Sequence, residues 1–120
     1  MLVCEKSNQM IKSAYQKFDD GTEIEYGRFR SQGLSVLTED MLKTNDILIF
    51  YVHSGQGIIW VDNTMTAALS LDLLVLTKET SFVISNTSWE VYYCRLNNQY
   101  IYDLLIENRI PKHISLHDQQ

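Results

Sequence analysis

The densest apolar pattern in the chain lies at its centre. Residues 47–53 and 58–61 are two runs of strand-forming type, separated by Ser54, Gly55, Gln56 and Gly57. β-Branched and aromatic side chains fit a pleated surface, and glycine permits the positive φ that a tight reversal needs. The pattern predicts a β-hairpin with its turn at these four residues. Both arms are apolar on both faces over much of their length, as in a strand covered on two sides within a sandwich or barrel.

Shorter elements flank this centre. Residues 22–30 alternate, with Ile24, Tyr26 and Arg28 on one side and Glu23, Glu25, Gly27 and Phe29 on the other. That predicts a strand with one wet face. Asp19-Asp20-Gly21 and Ser31-Gln32-Gly33 are turn signals on either side of it. Residues 34–37 make a short strand, and Thr38-Glu39-Asp40 either caps a helical turn at Met41-Leu42 or forms a loop. Asp62-Asn63 is a turn pair. Residues 64–68 and 69–76 follow, the second run nearly all apolar with Asp72 inside it. Residues 81–84 are a strand, Asn86-Thr87-Ser88 a turn, and residues 89–96 alternate again. Trp89, Val91, Tyr93 and Arg95 face one way, Glu90, Tyr92, Cys94 and Leu96 the other. Many short strands with little helix between them predict a sandwich or a small barrel over residues 22–96.

The two ends read differently. Met10, Ile11, Ala14, Tyr15 and Phe18 fall at roughly helical spacing, so residues 1–21 form a short helix or an arm laid on the domain. After Asn97-Asn98 the period changes. Tyr100, Ile101, Leu104 and Leu105 make a helical stripe, Ile106 widens it, Asn98 suits the N-cap and Pro111 stops the element. Residues 97–111 are therefore a C-terminal α-helix whose stripe packs on its own domain or faces another subunit. Residues 112–120 read as a loose polar tail.

Composition narrows the classes. A chain of 120 residues is one domain, long enough for a real core. A net charge of −5 without any basic run argues against gripping a nucleic-acid backbone. Cys4 and Cys94 do not make a disulfide framework, which points to a reducing cytoplasm. The N-terminus turns charged at Glu5-Lys6, too early for a signal peptide. The polar break at 53–57 prevents the central run from spanning a membrane.

Tyr51-Val52-His53-Ser54-Gly55-Gln56-Gly57-Ile58-Ile59-Trp60-Val61-Asp62 resembles the hairpin of the cupin fold. It is most similar to the form found in N-terminal domains of AraC-type transcription regulators, where an aromatic and an aliphatic residue lead into Gly-x-Gly. Leu69-Ser70-Leu71-Asp72-Leu73-Leu74-Val75-Leu76 resembles the family's next block, with Asp72 kept and Leu71 in place of glycine. Trp89-Glu90-Val91-Tyr92-Tyr93-Cys94-Arg95-Leu96 is similar to the strand that closes the family's barrel. The resemblance covers residues 22–108. It implies a mainly β, cupin-like double-stranded β-helix, a jelly-roll barrel of two antiparallel sheets, followed by a helix that supplies a subunit interface. It also implies a non-enzymatic role in effector sensing, dimerisation or both. DNA would be read by a helix-turn-helix pair that these residues do not contain. The expected homodimer contact is Tyr100, Ile101, Leu104 and Leu105. A stand-alone cupin enzyme is an alternative, and would need histidine, glutamate or a metal converging in the barrel. A small carbohydrate-binding protein is another, and would expose aromatics on an outer face.

Metal-dependent cupins hold their cation with several histidines and a carboxylate. Residues 39–48, where such a set belongs, contain no histidine. The family's later histidine falls at Phe82, with Asn86 matching a family asparagine. Only His53, His113 and His117 exist, so neither a metal nor any other cofactor is expected. Cys94 reads as a small buried hydrophobe, Glu39-Asp40 as solvated surface, and Gly55-x-Gly57 as too short for a phosphate loop.

A ligand pocket remains. Ile47, Ile49, Tyr51 and His53 share a face on the leading arm, Ile58 and Trp60 on the return arm, and Trp89, Tyr93 and Arg95 on the closing strand. If these faces line the barrel, Tyr51, His53, Trp60, Trp89, Tyr93 and Arg95 could hold a sugar or a small carboxylate by stacking and charge-assisted hydrogen bonds. Otherwise the rings simply fill the barrel. An internal Arg95 requires a partner, which Glu23, Glu25 or Glu90 could supply.

Overall fold

The computed structural model describes residues 8–116. Among them lie eight strands and one α-helix: β1 (Asn8–Lys17), β2 (Glu23–Gly33), β3 (Leu37–Thr38), β4 (Asp46–Val61), β5 (Thr64–Leu69), β6 (Asp72–Thr77), β7 (Phe82–Asn97), α1 (Gln99–Glu107) and β8 (His113–Ser115), with a 3-10 turn at Glu39–Met41. All strand pairs are antiparallel. The sheet runs β1-β2-β7-β4-β6-β8, while β5 adds to β4 and β3 to β7. The expected mainly β, jelly-roll architecture with a C-terminal helix is present.

Two long strands carry it. β4 and β7 each span 16 residues and pair along nearly their whole length. The first half of β4 also pairs with β6 and the second half with β5. One bent strand thus has different neighbours along its two halves. This corrects the hairpin expected at Ser54–Gly57: no reversal occurs there. The register slips between Val52 and Ser54 and again between Gln56 and Ile58, which bends the strand. Gly55 has φ 84°, and a Cβ there would stand 2.0 Å from the Ser88 carbonyl oxygen. The glycine is required for close approach of β7, not for a turn. Residues 86–88 behave likewise: they lie inside β7, and Asn86 takes φ 51° at the kink. The reversal comes later, at Asp62 (φ 48°) and Asn63 (φ 68°), the two-residue turn that matches strand twist.

The ends of the chain differ in part from expectation. Of the two forms expected for the N-terminal segment, residues 8–17 take the arm laid on the domain, as a strand paired with β2, and not the helix; residues 1–7, with Cys4, lie outside the described residues. In the segment read as a loose tail, His113–Ser115 pairs with β6, and residues 117–120 lie outside the description. The run 69–76 is broken at Ser70-Leu71, where Leu71 takes φ 72° in place of the family's glycine.

The interior is one cluster. Phe29, Phe50, Val52, Ile59, Leu74, Leu76, Phe82, Ile84 and Val91 are all essentially excluded from water. Phe50 and Phe29 meet edge to face at 6.0 Å between centroids, and Phe29 meets Tyr93 at 5.7 Å. Burying each such ring contributes about 1.5–3 kcal/mol. A second cluster, Ile47, Val75 and Tyr102 with Ile49, Leu73 and Leu105, lies on the other face of the sheet under α1. Asn98 caps that helix by accepting from Ile101 N at 3.0 Å. No helix among the described residues is long and apolar enough to cross a membrane.

Candidate functional site

Most of the barrel interior is apolar, and its charged side chains from β2, β4 and β7 gather at one end. There, strand register brings four charged side chains together. Glu25 on β2 lies opposite Arg95 on β7, and Asp46 on β4 lies opposite Asn97, two residues along from Arg95. The Arg95 side chain is only 8% exposed. Its Nε donates to Glu25 Oε1 at 3.2 Å, Nη1 to Asp46 Oδ1 at 2.9 Å, and Nη2 to Glu23 Oε2 at 3.5 Å. One guanidinium thus holds three carboxylates, as its fork of donors allows.

Neighbours complete the network. Tyr93 OH donates to Glu25 Oε2 at 2.9 Å, Asn97 Nδ2 to Asp46 Oδ1 at 2.8 Å, and the Lys43 amide to Asp46 Oδ2 at 2.7 Å. At the outer edge Tyr15 OH donates to Glu23 Oε2 at 3.2 Å, and Lys43 Nζ lies 3.4 Å from the same oxygen. Burial pushes the Glu23 carboxyl up, but the Lys43 charge and hydrogen bonds from Tyr15, Lys43 and Arg95 outweigh it and hold the group below its ordinary range. Burial and the hydrogen bond to Glu25 push the Tyr93 phenol well above its usual value, so it remains a donor at neutral pH. Burial works against the charge on Arg95, but Glu25 and Asp46 outweigh it.

Glu23, Glu25, Asp46 and Arg95 floor an open cavity of about 640 Å³ at the barrel mouth. Its walls are Ser13, Ala14 and Tyr15 of β1 together with Met41 and Lys43. Carboxylate oxygens, a phenol, an ammonium and a serine face a space open to water. That arrangement can bind a small polar molecule by hydrogen bonds.

The six residues proposed from the sequence divide by face. Trp89, Tyr93 and Arg95 point into the barrel: Tyr93 and Arg95 at the polar end, Trp89 in the dry part against Phe50 at 6.2 Å. Tyr51, His53 and Trp60 lie on the outside, which corrects their assignment to the lining. Tyr51 and His53 pack around Tyr92 at 6.4 and 5.7 Å, and Trp60, 42% exposed, lies opposite Met65. The inward face of β4 is instead Leu48, Phe50 and Val52. Both faces of this arm are apolar because α1 covers the outer one, so alternation alone does not say which is inside. Of the helix residues, Tyr100, Ile101 and Leu104 are exposed, while Leu105 packs on the sheet. Sequence reasoning named Glu23 and Glu25 as partners for Arg95 but missed Tyr15, Lys43 and Asp46. Glu90 pairs with Arg30 on the outer face instead.

Neither histidine among the described residues reaches the barrel interior. His53 is outside, His113 Nε2 lies 2.7 Å from Asp72 Oδ2 at the β6–β8 edge, and His117 lies outside the described residues. Among the described residues no group of three or more His, Cys, Asp or Glu is placed to hold a metal ion.

No family model matches the sequence, and no curated protein matches it either. Solved structures do resemble the fold. The cupin domain of Schizosaccharomyces pombe Cnp3 has a TM-score of 0.56 at 12% identity, over 89% of this chain and 74% of that one. A cupin superfamily protein from Desulfitobacterium hafniense has a TM-score of 0.51 at 12% identity, over 80% and 83%. A Streptomyces PAC13 variant with uridine has a TM-score of 0.50 at 15% identity, over 79% and 84%. At such identities the likeness establishes a cupin fold and nothing finer.

Proposed function

We propose that this chain is the regulatory, effector-sensing and dimerising domain of an AraC-type transcription regulator, acting in the cytoplasm without catalysing a reaction. In this reading DNA is contacted by a separate helix-turn-helix unit. The observation that carries it is the barrel mouth: an open, hydrogen-bonding cavity whose floor is a guanidinium neutralised by three carboxylates. Such a floor suits recognition. Arg95, the one cation deep in it among the described residues, is held in place, and the buried phenol of Tyr93 beside it stays protonated.

Between a sugar and a small carboxylate, the floor favours the sugar. Every nitrogen of Arg95 already donates to a carboxylate, so an incoming small carboxylate meets like charge. Sugar hydroxyls can donate to Glu23 and accept from Tyr15 and Lys43. The exposed Tyr100, Ile101 and Leu104 of α1 support the dimer contact. Leu105 is occupied by its own sheet and is left out of that contact.

Sedimentation at several concentrations, with and without a panel of neutral sugars, tests both halves. The expected result is a dimer that Leu104→Glu converts to a monomer, and at least one sugar that raises the melting temperature. A wild-type monomer at every concentration together with no responding sugar would remove the proposal. The carbohydrate-binding alternative draws on Tyr26, Tyr92 and Trp60, all exposed on outer faces. It requires sugar protection of those rings, and the mouth would then be silent.

A further inference from the structure

A second cavity, of about 540 Å³, lies between α1 with the segment after it and strand β6. Val75, Leu105, Ile106 and Ile110 give it apolar walls, and Arg109 and Lys112 stand on its rim. This slot is on the opposite side of the sheet from the barrel mouth, and nothing argued below depends on how the mouth is used.

Arg109 is in an unusual place. The helix ends in a Schellman pair, with Arg109 N donating to Ile106 O and Ile110 N to Leu105 O. The residue at this position takes the left-handed conformation, and glycine is its ordinary occupant. Here it is Arg109 at φ 52°. Most other non-glycine residues with positive φ in the described chain are Asn or Asp, which tolerate it. Leu71 is the other exception, and it is pinned on both sides: its N donates to Val52 O, and its carbonyl accepts from Leu116 N. Arg109 enters no ion pair among the described residues. Strain retained at one position is a reason to look for a role of the side chain.

The second cation is also available. Val75 N donates to Lys112 O at 2.9 Å, which fixes the Lys112 backbone against the slot. Its ammonium meets only Asp62, at 3.6 Å, with both side chains about half exposed. Such a pair exchanges readily. Glu79, an exposed acid beside Tyr102, stands on the same rim. In a chain of net charge −5, an apolar slot whose rim keeps a net positive charge, two cations against the one carboxylate of Glu79, is complementary to an anion with an apolar body.

We propose that this slot binds an aliphatic carboxylate, its head group between Arg109 and Lys112 and its alkyl chain over Val75, Leu105, Ile106 and Ile110. The head group gains charge-assisted hydrogen bonds from the guanidinium, and the chain covers side chains that water now meets.

Calorimetric titration of the full chain with decanoate, below its micellar concentration, tests this, with decanol and decylamine as controls. Decanoate is expected to bind saturably and the two controls at least about tenfold more weakly, the effect of losing a hydrogen bond to a charged group. Arg109→Gly separates ligand from scaffold. It relieves the left-handed strain, so its melting temperature should equal or exceed that of the wild type, while decanoate affinity falls at least about tenfold. Amide shifts in the wild type should centre on Val75 and Ile110. Four outcomes would overturn the proposal: no saturable decanoate binding, equal binding of decylamine, undiminished binding by Arg109→Gly, or shifts centred on Tyr15 and Glu23 at the mouth.

Discussion

On one face of β7, Trp89 and Val91 sit in dry core, and Tyr93 and Arg95, just beyond them, sit in a charged network. The same change occurs along β4, from Val52 and Phe50 to Asp46. The two ends of the barrel share strands, and β2 changes along its length in the same way. At the dry end that strand contributes Phe29 and Ser31, the latter hydrogen-bonded to Thr87. At the wet end it contributes Glu25 and Glu23. Replacing a buried ion network by apolar groups is often neutral or stabilising in itself. A network of three carboxylates around one guanidinium, beside the cavity, is therefore better explained by binding than by stability.

The sharpest way to break this contrast is a pair of substitutions, one at each end. Phe50→Ala should cost about 3–5 kcal/mol in urea unfolding, with no dependence on pH between 5 and 8. Arg95→Met should cost a similar amount at pH 7, about 3–5 kcal/mol, because three carboxylates then converge without a cation. The second loss should shrink as pH falls from 7 to 5, since crowded carboxylates take up protons. The wild type must behave in the opposite sense. Glu23 is held below its ordinary range, so its contribution is complete above the ordinary carboxylate pKa. It is lost as acid carries the pH below about 4 and through the folded value. If Arg95→Met were as insensitive to pH as Phe50→Ala, the charged end would be no different from the dry one.

Smaller effects sharpen the picture. Tyr93→Phe leaves Glu25 without one charge-assisted donor and should cost about 1.5–3 kcal/mol by the same unfolding assay. Lys43→Ala removes an exposed pair with Glu23 and should change stability by less than about 1 kcal/mol, an effect that vanishes in high salt. It should nonetheless weaken any mouth ligand that accepts a hydrogen bond from the ammonium, which titration of the variant would show.

The asymmetry also explains what could be read from the sequence. The period-two pattern around Trp89, Val91, Tyr93 and Arg95 identifies one face correctly, and the need for an acidic partner at Arg95 leads to Glu23 and Glu25. Asp46 escaped because it opens β4 after a turn at Asn45, where an acid reads as surface. The sequence pattern points to the wrong face of β4 as lining because α1 buries Ile47 and Ile49 from outside. Only tertiary packing distinguishes the two faces. Gly55 and Gly57 signalled a reversal, yet both are occupied by the approach of β7: a Cβ at Gly57 would stand 2.9 Å from the Trp89 ring. A glycine wanted for room and a glycine wanted for a turn look alike in one dimension.

Amide chemical-shift mapping with a panel of neutral pentoses and hexoses tests the sensing role of the charged end most directly. The account predicts that a binding sugar shifts Tyr15, Glu23, Glu25, Met41 and Lys43, leaves Phe82 and Ile84 unmoved, and loses affinity in Tyr93→Phe. Shifts confined to Tyr26, Tyr92 and Trp60 on the outer surface, or none for any sugar, would contradict it.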